Sequence, residues 1–416
     1  MKKVYVGIIG FGNIGSAVAE FIKKNHQVIA ANTGLDLELK KVCDTRQLKI
    51  AYPLTHQYTD IINDPEIAVV VEAIGGTVPA KKIILAALNQ KKHVVTPNKE
   101  VVAKHMKELL AAAAKNKVQL LFEASVGGGI PIIQPIKESL AGNNISQIYG
   151  IVNGTTNYIL FKMSSEKMEF ASALKQAQDK GYAEPNPKAD IEGYDAAYKA
   201  AILASVAFKA EVNWQAVYRE GITGITQEDI QYAKDIGYVV KLLAIAQKVD
   251  EKIDIRVHPA LLPANHALAT VADNYNAIYV KGTPVGPLMF YGQGAGGGPT
   301  ASAIISDIIA SANSKFEIRN STLKKAKVRN INEVKGKFYI RLEVPDRVGV
   351  LAGISKVFAQ KKVSIAAVLQ KESNGQFVTL IILTDKVVEK NLRAALATMK
   401  KLSVVHKIGS VIRLIA

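Results

Sequence analysis

The side chains best placed to do chemistry lie in GYAEPNPKADIEGYDAAYK, residues 181–199. The segment gathers four carboxylates, Glu184, Asp190, Glu192 and Asp195, and ends on Lys199, in a chain whose formal net charge is +17. Its second half is helical by composition, so Asp195 and Lys199, four residues apart, project from one face. Alone, such a pair is an ordinary surface ion pair worth about 0.3–0.5 kcal/mol. Its neighbours argue for more. Glu184 sits between Ala183 and Pro185, in a loop where a carboxylate has no helix to decorate, and Asp190 precedes a glycine turn. Carboxylates fixed near an ammonium suit a zwitterionic substrate: the acids hold its amine, and a lysine moves a proton or meets its carboxylate.

A second lysine, Lys99, stands in HVVTPNKE just past a predicted strand, together with Thr96 and Asn98. Groups beyond the carboxyl ends of parallel strands face the ligand crevice. Asn98 can also cap the helix that follows and leave Lys99 facing water, and both readings can hold at once. The run EASVGGGIPII, residues 123–133, leaves a strand through three glycines. These let backbone approach a ligand, free carbonyls for a cation, or simply turn the chain. The seven histidines are scattered, and no H-E-x-x-H, C-x-x-C or G-x-S-x-G occurs, which removes most support for zinc chemistry and serine hydrolysis. Hydride transfer from a nicotinamide, with a lysine handling the proton, needs none of them.

The elements that must position these groups begin with KVYVGII, a β-branched apolar run. Gly10, Gly12 and Gly15 follow at G-x-G-x-x-G spacing around Asn13 and Ile14, and then the helical SAVAEFIKKN. Strand, glycine turn and helix in that order bring backbone and a helix N-terminus to a dinucleotide pyrophosphate. Strands LELKKVCD, AVVVEAIG, HVVTPN and VQLLFEA alternate with helices AKKIILAALNQ and KELLAAAAKN. The expectation is an α/β chain whose residues 1–130 form a Rossmann-type parallel sheet wrapped by helices. Residues 131–300 read as a less regular α+β domain for substrate binding and oligomerisation. It includes YGQGAGGGPTA, whose Gly297 is assigned to the cofactor, and a helix near 300–320 should complete the first domain. Residues 321–337 have the composition of a basic linker. Residues 338–416 read β-α-β-β-α-β, a small ferredoxin-like domain.

Bulk composition narrows the class. The 416 residues imply two or three domains, and 49% hydrophobic with 21% charged residues implies a globular chain. The single cysteine, Cys43, excludes an intramolecular disulfide and fits a reducing cytosol. No apolar run is long enough to span a bilayer, and the start MKKVYVGIIGFGNIG breaks on glycines, so it reads as a strand and not an export signal. The lysines are spread along the chain without a nucleic-acid motif. The expectation is a cytoplasmic protein with neither membrane nor nucleic acid as partner.

Taken in order, GFGNIG, TPNKE, EASVGGGIP, GIVNGTTNYIL, GYAEPNPKADIEGYDAAYK, HPALLPANHALA and YGQGAGGGPTASA resemble homoserine dehydrogenase with a C-terminal ACT domain, nearly end to end. The resemblance implies nicotinamide-dependent interconversion of L-aspartate 4-semialdehyde and L-homoserine, a step shared by threonine and methionine synthesis. Lys199 matches the family's proton-transferring lysine, and Asp195 and Lys99 match positions tied to catalysis. Glu184 matches the residue that holds the substrate amine, with Asp190, Tyr182 and the turn Gly154, Thr155, Thr156, Asn157 lining the same pocket. Glu123 and the backbone of Val126, Gly128 and Ile130 match a site for a monovalent cation such as sodium. Asp44, at the end of the second strand, favours the ribose 2′-hydroxyl of NAD, whereas Arg46 suits the 2′-phosphate of NADP; NAD stands slightly ahead. Asp346 and Gly349 match the effector loop of an ACT domain, which implies either threonine as effector or an ACT domain used only for assembly, and the family implies a homodimer or homotetramer. The alternatives are a dinucleotide-binding amino-acid sensor without catalysis, or a dehydrogenase of a related amino acid.

Overall fold

The first strand, Lys2–Ile9, is buried over its second half, and the chain then turns through glycines into helix Asn13–Thr33. That helix runs eight residues past the expected SAVAEFIKKN, because HQVIAANT contains no breaker until Gly34 ends it at a φ of 72°. A computed structural model describes residues 1–313, 323–370 and 376–415 of the chain. Six parallel strands lie in the order Leu54–Thr55, Leu35–Cys43, Lys2–Ile9, Ile67–Glu72, His93–Val95, Leu120–Leu121. Their order reverses beside the first strand, which is the doubly wound arrangement that leaves a ligand crevice at the strand carboxyl ends. Helix Val78–Asn89 starts on a proline in its first turn, and helix Lys99–Lys115 starts on Asn98, whose side chain accepts the Val101 amide.

Two compact units divide the chain without following its order. One comprises Met1–Gly154, Asp195–Val217 and Tyr275–Ala326, and the other Thr155–Tyr194, Tyr218–Asn274 and Lys327–Ala416. In the first, helix Gly297–Asn313 packs against helix Asn13–Thr33. Ala301, Ile304, Ile305 and Ile308 share a core with Val18, Ala19, Ile22, Val6 and Ile8. Each fully buried isoleucine there stabilises the fold by about 1.5–3 kcal/mol. The part of the expected helix at 314–320 lies outside the described residues, as do the first two residues of the expected linker. The same unit holds an antiparallel sheet of Asn144–Ile151, Tyr275–Thr283 and Gly286–Gln293.

The second unit is built on the hairpin Tyr238–Val249 and Lys252–Pro263, closed by a two-residue turn in which Asp250 takes a φ of 53°. The reading of residues 131–300 as a less regular α+β domain does not single out this hairpin. Its second strand is buried on both faces, so its sequence lacks the alternation that marks a strand, and charged residues within it interrupt the apolar run. From the hairpin the sheet continues through Lys407–Leu414, Lys335–Pro345, Phe377–Thr384 and Ile365–Gln370. Helices Val350–Gln360 and Glu389–Met399 cover these four C-terminal strands over a core of Phe338, Leu342, Ile354, Phe358, Ile382 and Met399. The ferredoxin-like order is therefore present, though Lys371 of its expected second strand and Ala416 lie outside the described residues. The expected linker is more structured than its composition implies: Lys324–Lys325 pairs with Ala210–Glu211, and the next strand begins at Lys335. Among the described residues, no helix is long and apolar enough to cross a membrane.

The glycines of the first turn differ in what they permit. A Cβ at Gly15 would lie 2.0 Å from the Gly10 carbonyl oxygen, whereas one at Gly12 meets nothing within 4 Å. Gly15→Ala should therefore destabilise the first unit by about 1–3 kcal/mol, and Gly12→Ala should stay within about 0.5 kcal/mol of the parent. Urea midpoints of the two variants check this; equal midpoints would contradict it.

Candidate active site

Helix Tyr194–Ala207 is buried over almost its whole length, because AAILASVA offers no polar face. Asp195 and Lys199 are thereby taken out of solvent, with 4% and 10% of their side chains exposed. Lys199 Nζ lies 2.7 Å from Asp195 Oδ2 and donates to the Val152 carbonyl at 2.7 Å. Asn153 Nδ2 donates to the same carboxylate oxygen at 2.9 Å, and Lys99 Nζ stands 2.5 Å from Oδ1. One carboxylate thus serves two ammonium groups, Lys199 enclosed and Lys99 partly open to solvent. Burial opposes ionisation of Asp195. The charges of Lys199 and Lys99 and the bonds from Asn153 and Lys199 outweigh it, holding the carboxyl below its usual range. This pair is not the exposed ion pair that its spacing alone implies. Removing one partner of a buried pair strands the other, at a cost of about 3–5 kcal/mol.

At the strand ends of the same unit, Gly10 has a φ of 94°, and a Cβ there would come 2.6 Å from the Ala73 carbonyl carbon. Helix Asn13–Thr33 has neither a side-chain cap nor an acidic residue in its first turn, so its positive end is open to an anion. Gly297 joins it: a Cβ there would sit 3.3 Å from Ala17 Cβ and 3.7 Å from the Asn13 carbonyl oxygen. Asp44 and Arg46, weighed as competitors for the ribose, are bonded to each other. Asp44 accepts from Arg46 N and Nε at 2.9 Å and Nη2 at 3.0 Å, and from the Phe11 amide at 2.8 Å. The Arg46 bonds hold the Asp44 carboxyl far below its usual range although burial opposes them. This pocket end fits a dinucleotide. Thr96 Oγ1 donates to Glu72 Oε2 at 2.6 Å and accepts the Asn98 amide at 3.0 Å. Glu72 and Asn153 escaped the sequence reading. Their signals were a lone acid ending the apolar AVVVE and an asparagine just ahead of GTTN.

Glu123 is 2% exposed, and its carboxylate accepts the amides of Ile132, Ile133 and Gln134 at 2.5–2.7 Å. Gly127 and Gly128, at φ 74° and 58°, bend the loop against the 293–295 segment, where a Cβ on Gly128 would lie 2.4 Å from the Gly294 carbonyl carbon. Both Glu123 carboxylate oxygens are thus taken up by backbone amides, Oε1 by Ile132 and Ile133 and Oε2 by Gln134.

Gly154 is the first residue of the helix Gly154–Ser165, whose Thr155 and Asn157, in the second unit, are buried. Thr155 Oγ1 donates to the Tyr182 carbonyl at 2.5 Å, and Asn157 Nδ2 to the Asp273 carbonyl at 2.9 Å. Glu184 is exposed in its loop, Tyr182 packs edge-on against Tyr158, and Asp190 lies in the single turn Lys188–Ile191. Asp346 is exposed, and Gly349, at φ 90°, begins helix Val350–Gln360.

Comparison with known proteins gives a consistent result. Residues 131–309 match the family described as homoserine dehydrogenase, residues 10–123 the homoserine dehydrogenase NAD binding domain, and residues 338–404 the ACT domain. The chain is 38% identical to a homoserine dehydrogenase of Bacillus subtilis, over 99% of this chain and 98% of that one. Its fold is similar to the crystal structure of a homoserine dehydrogenase from Thiobacillus denitrificans, with a TM-score of 0.94 and 38% identity over 100% and 99% of the two chains. A hyperthermophilic archaeal homoserine dehydrogenase in complex with NADPH aligns at a TM-score of 0.65 and 27% identity, over 76% of this chain and all of that one.

Asp307, beside Glu123, provides a test of this buried region. Its Oδ2 accepts the Glu123 amide at 2.8 Å, and burial pushes its carboxyl up to about 8, with the Glu123 charge adding to the rise. An unfolded aspartate titrates near 3.9. Between about pH 4 and pH 8 the folded state holds the extra proton, so stability should fall as pH rises through that window. Urea midpoints at several pH values should show this slope in the parent and a flatter one in Asp307→Asn; identical slopes would contradict it.

Proposed function

The chain belongs to the homoserine dehydrogenase family, and from that premise we propose that it interconverts L-aspartate 4-semialdehyde and L-homoserine with NAD or NADP, in threonine and methionine biosynthesis. The observation that carries this reading is the buried Asp195 carboxylate shared by Lys199 and Lys99. A bound nicotinamide supplies the hydride to the aldehyde carbon, or accepts it in the reverse direction. Lys199 as the ammonium gives the carbonyl oxygen its proton during reduction, and as the neutral amine that this leaves it takes the hydroxyl proton during oxidation. Asp195, held ionised, fixes the Lys199 ammonium together with the Val152 carbonyl, so proton transfer starts from an oriented donor. Lys99 offsets the carboxylate's charge and adds positive potential where the oxygen gains negative charge.

Glu184 is assigned to the substrate amine, with Tyr182, Asp190, Gly154, Thr155 and Asn157 around it. Gly10, Gly12, Asn13, Ile14, Gly15, Thr96, Asn98 and Gly297 are assigned to the dinucleotide. NAD remains ahead, since Asp44 can turn its carboxylate to a ribose hydroxyl, while Arg46, 59% exposed, suits a 2′-phosphate. Glu123, Val126, Gly128 and Ile130 would hold a monovalent cation such as sodium. We further assign threonine as the effector at Asp346 and Gly349, a homodimer or homotetramer as the assembly, and the cytoplasm as the location. Rates unchanged across millimolar threonine would exclude that effector.

Absorbance at 340 nm, with L-homoserine and each dinucleotide in turn, tests the activity, and the ratio of rates gives the cofactor preference. Lys199→Ala should lower kcat by about a hundredfold or more and leave dinucleotide affinity unchanged. A parent without activity, or a variant that loses dinucleotide binding instead, would contradict the assignment.

A further inference from the structure

The acid-rich loop is anchored at its two ends. At the start, the Tyr182 amide donates to the Ala177 carbonyl at 2.8 Å, and Gln178 Nε2 reaches the Glu184 carbonyl at 3.2 Å. At the end, residues 191–194 lie under a strap formed by residues 218–222. Arg219 Nη1 donates to the Glu192 carbonyl at 2.7 Å, and its guanidinium lies 3.3 Å from the centre of the Tyr194 ring. The Ile222 amide donates to the Ile191 carbonyl at 2.8 Å. The fit admits no side chain at Gly221, where a Cβ would lie 2.2 Å from the Ile191 carbonyl oxygen. Tyr194 is followed directly by Asp195, so the strap grips the residue from which the helix of Asp195 and Lys199 begins.

The strap is joined through Tyr218 and Glu220, both half-buried, to an ionic cluster whose other members are buried. Glu220 receives Arg413 Nη1 at 2.8 Å and Nη2 at 3.1 Å, and Tyr218 donates its hydroxyl to the same carboxylate. Arg413 also binds Glu389, through Nε at 3.0 Å and Nη2 at 2.5 Å. Arg413 lies on the last strand, and Glu389 starts the last helix, of the ferredoxin-like domain. Both are almost fully enclosed, with 8% and 2% of their side chains exposed. Bidentate Arg–carboxylate pairs fix geometry as well as charge. A shift of the last strand therefore pulls on Glu220, and its neighbour Arg219 transmits the shift to Glu192 and Tyr194.

We propose that Arg219 is a positioning residue for the substrate loop, and that the Arg413–Glu220 pair ties it to the C-terminal domain, so that the state of that domain is felt at the loop. The inference deepens the proposed activity and rests on it. Loosening the strap costs substrate affinity, because the loop must then be ordered at the moment of binding, while the dinucleotide turn is untouched.

The test uses the full chain with Arg219→Met, Arg219→Lys and Glu220→Gln, measuring homoserine KM, dinucleotide KM, kcat and melting temperature. Arg219→Met should raise homoserine KM about tenfold, with dinucleotide KM and kcat within about twofold of the parent. Arg219→Lys keeps a cation over the Tyr194 ring and should recover part of the loss. Glu220→Gln should move KM in the same direction by a smaller factor. If Arg219→Met fails to fold, Arg219→Lys and Glu220→Gln carry the comparison. An unchanged homoserine KM in folded variants, or equal losses in homoserine KM and dinucleotide KM, would overturn the inference. A parent without homoserine-dependent activity would overturn the activity itself. The strap would then be read by limited proteolysis, where faster cleavage at residues 184–193 in the variants supports it and equal cleavage overturns it.

Discussion

One buried carboxylate sets the terms for the first unit. A charge taken out of water is costly unless partners surround it, and Asp195 is held where it lies by Lys199, Lys99 and Asn153 together. That demand fixes how three separate pieces of chain meet: the turn after strand His93–Val95, the segment ending strand Asn144–Ile151, and helix Tyr194–Ala207. The alanine-rich helix serves the same end, because small side chains let neighbouring backbone come close enough for the Val152 carbonyl to take a bond from Lys199. The pairing that stabilises the fold is also the one that orients a proton carrier.

The dinucleotide end follows a different rule, that of steric exclusion. Gly10 and Gly15 are glycines because backbone occupies the space a Cβ would need, and Gly12 is open because the ligand side must be. Asp44 contributes to this turn even without ligand, since it binds the Phe11 amide and so ties the second strand to the glycine loop. Its pairing with Arg46 means that dinucleotide choice depends on how one small ion pair rearranges. A ribose hydroxyl would take an oxygen from the arginine, whereas a 2′-phosphate would take the arginine from the carboxylate.

Local features were legible in the sequence. The strand, glycine turn and helix around Gly10–Gly15, the Asn98 cap, the i, i+4 placement of Asp195 and Lys199, and the β-α-β-β-α-β order of the C-terminal segment all depend on spacing or composition over a few residues. Features set by distant partners were not legible. Glu72 looks like the last residue of a strand until Thr96 is brought beside it. Asn153 looks like part of a turn until Asp195 is there to receive it. The Tyr238–Pro263 hairpin has no alternating pattern because both faces of its second strand are covered, and Lys324–Lys325 reads as linker until Ala210–Glu211 is available to pair with it. The family resemblance reached some of these regions by motif, though it could not supply the contacts.

The central claim is that the Lys199 ammonium, fixed by Asp195, carries the proton of the reaction. Chemical rescue tests it most directly: Lys199→Ala assayed at 340 nm with homoserine and dinucleotide, with and without methylamine or ethylamine. The account predicts that the small amine enters the space left by the side chain and restores turnover in proportion to its concentration. A folded variant that binds both ligands, has lost turnover and stays inactive at every amine concentration would contradict it, as would a variant that needs no amine because it never lost activity.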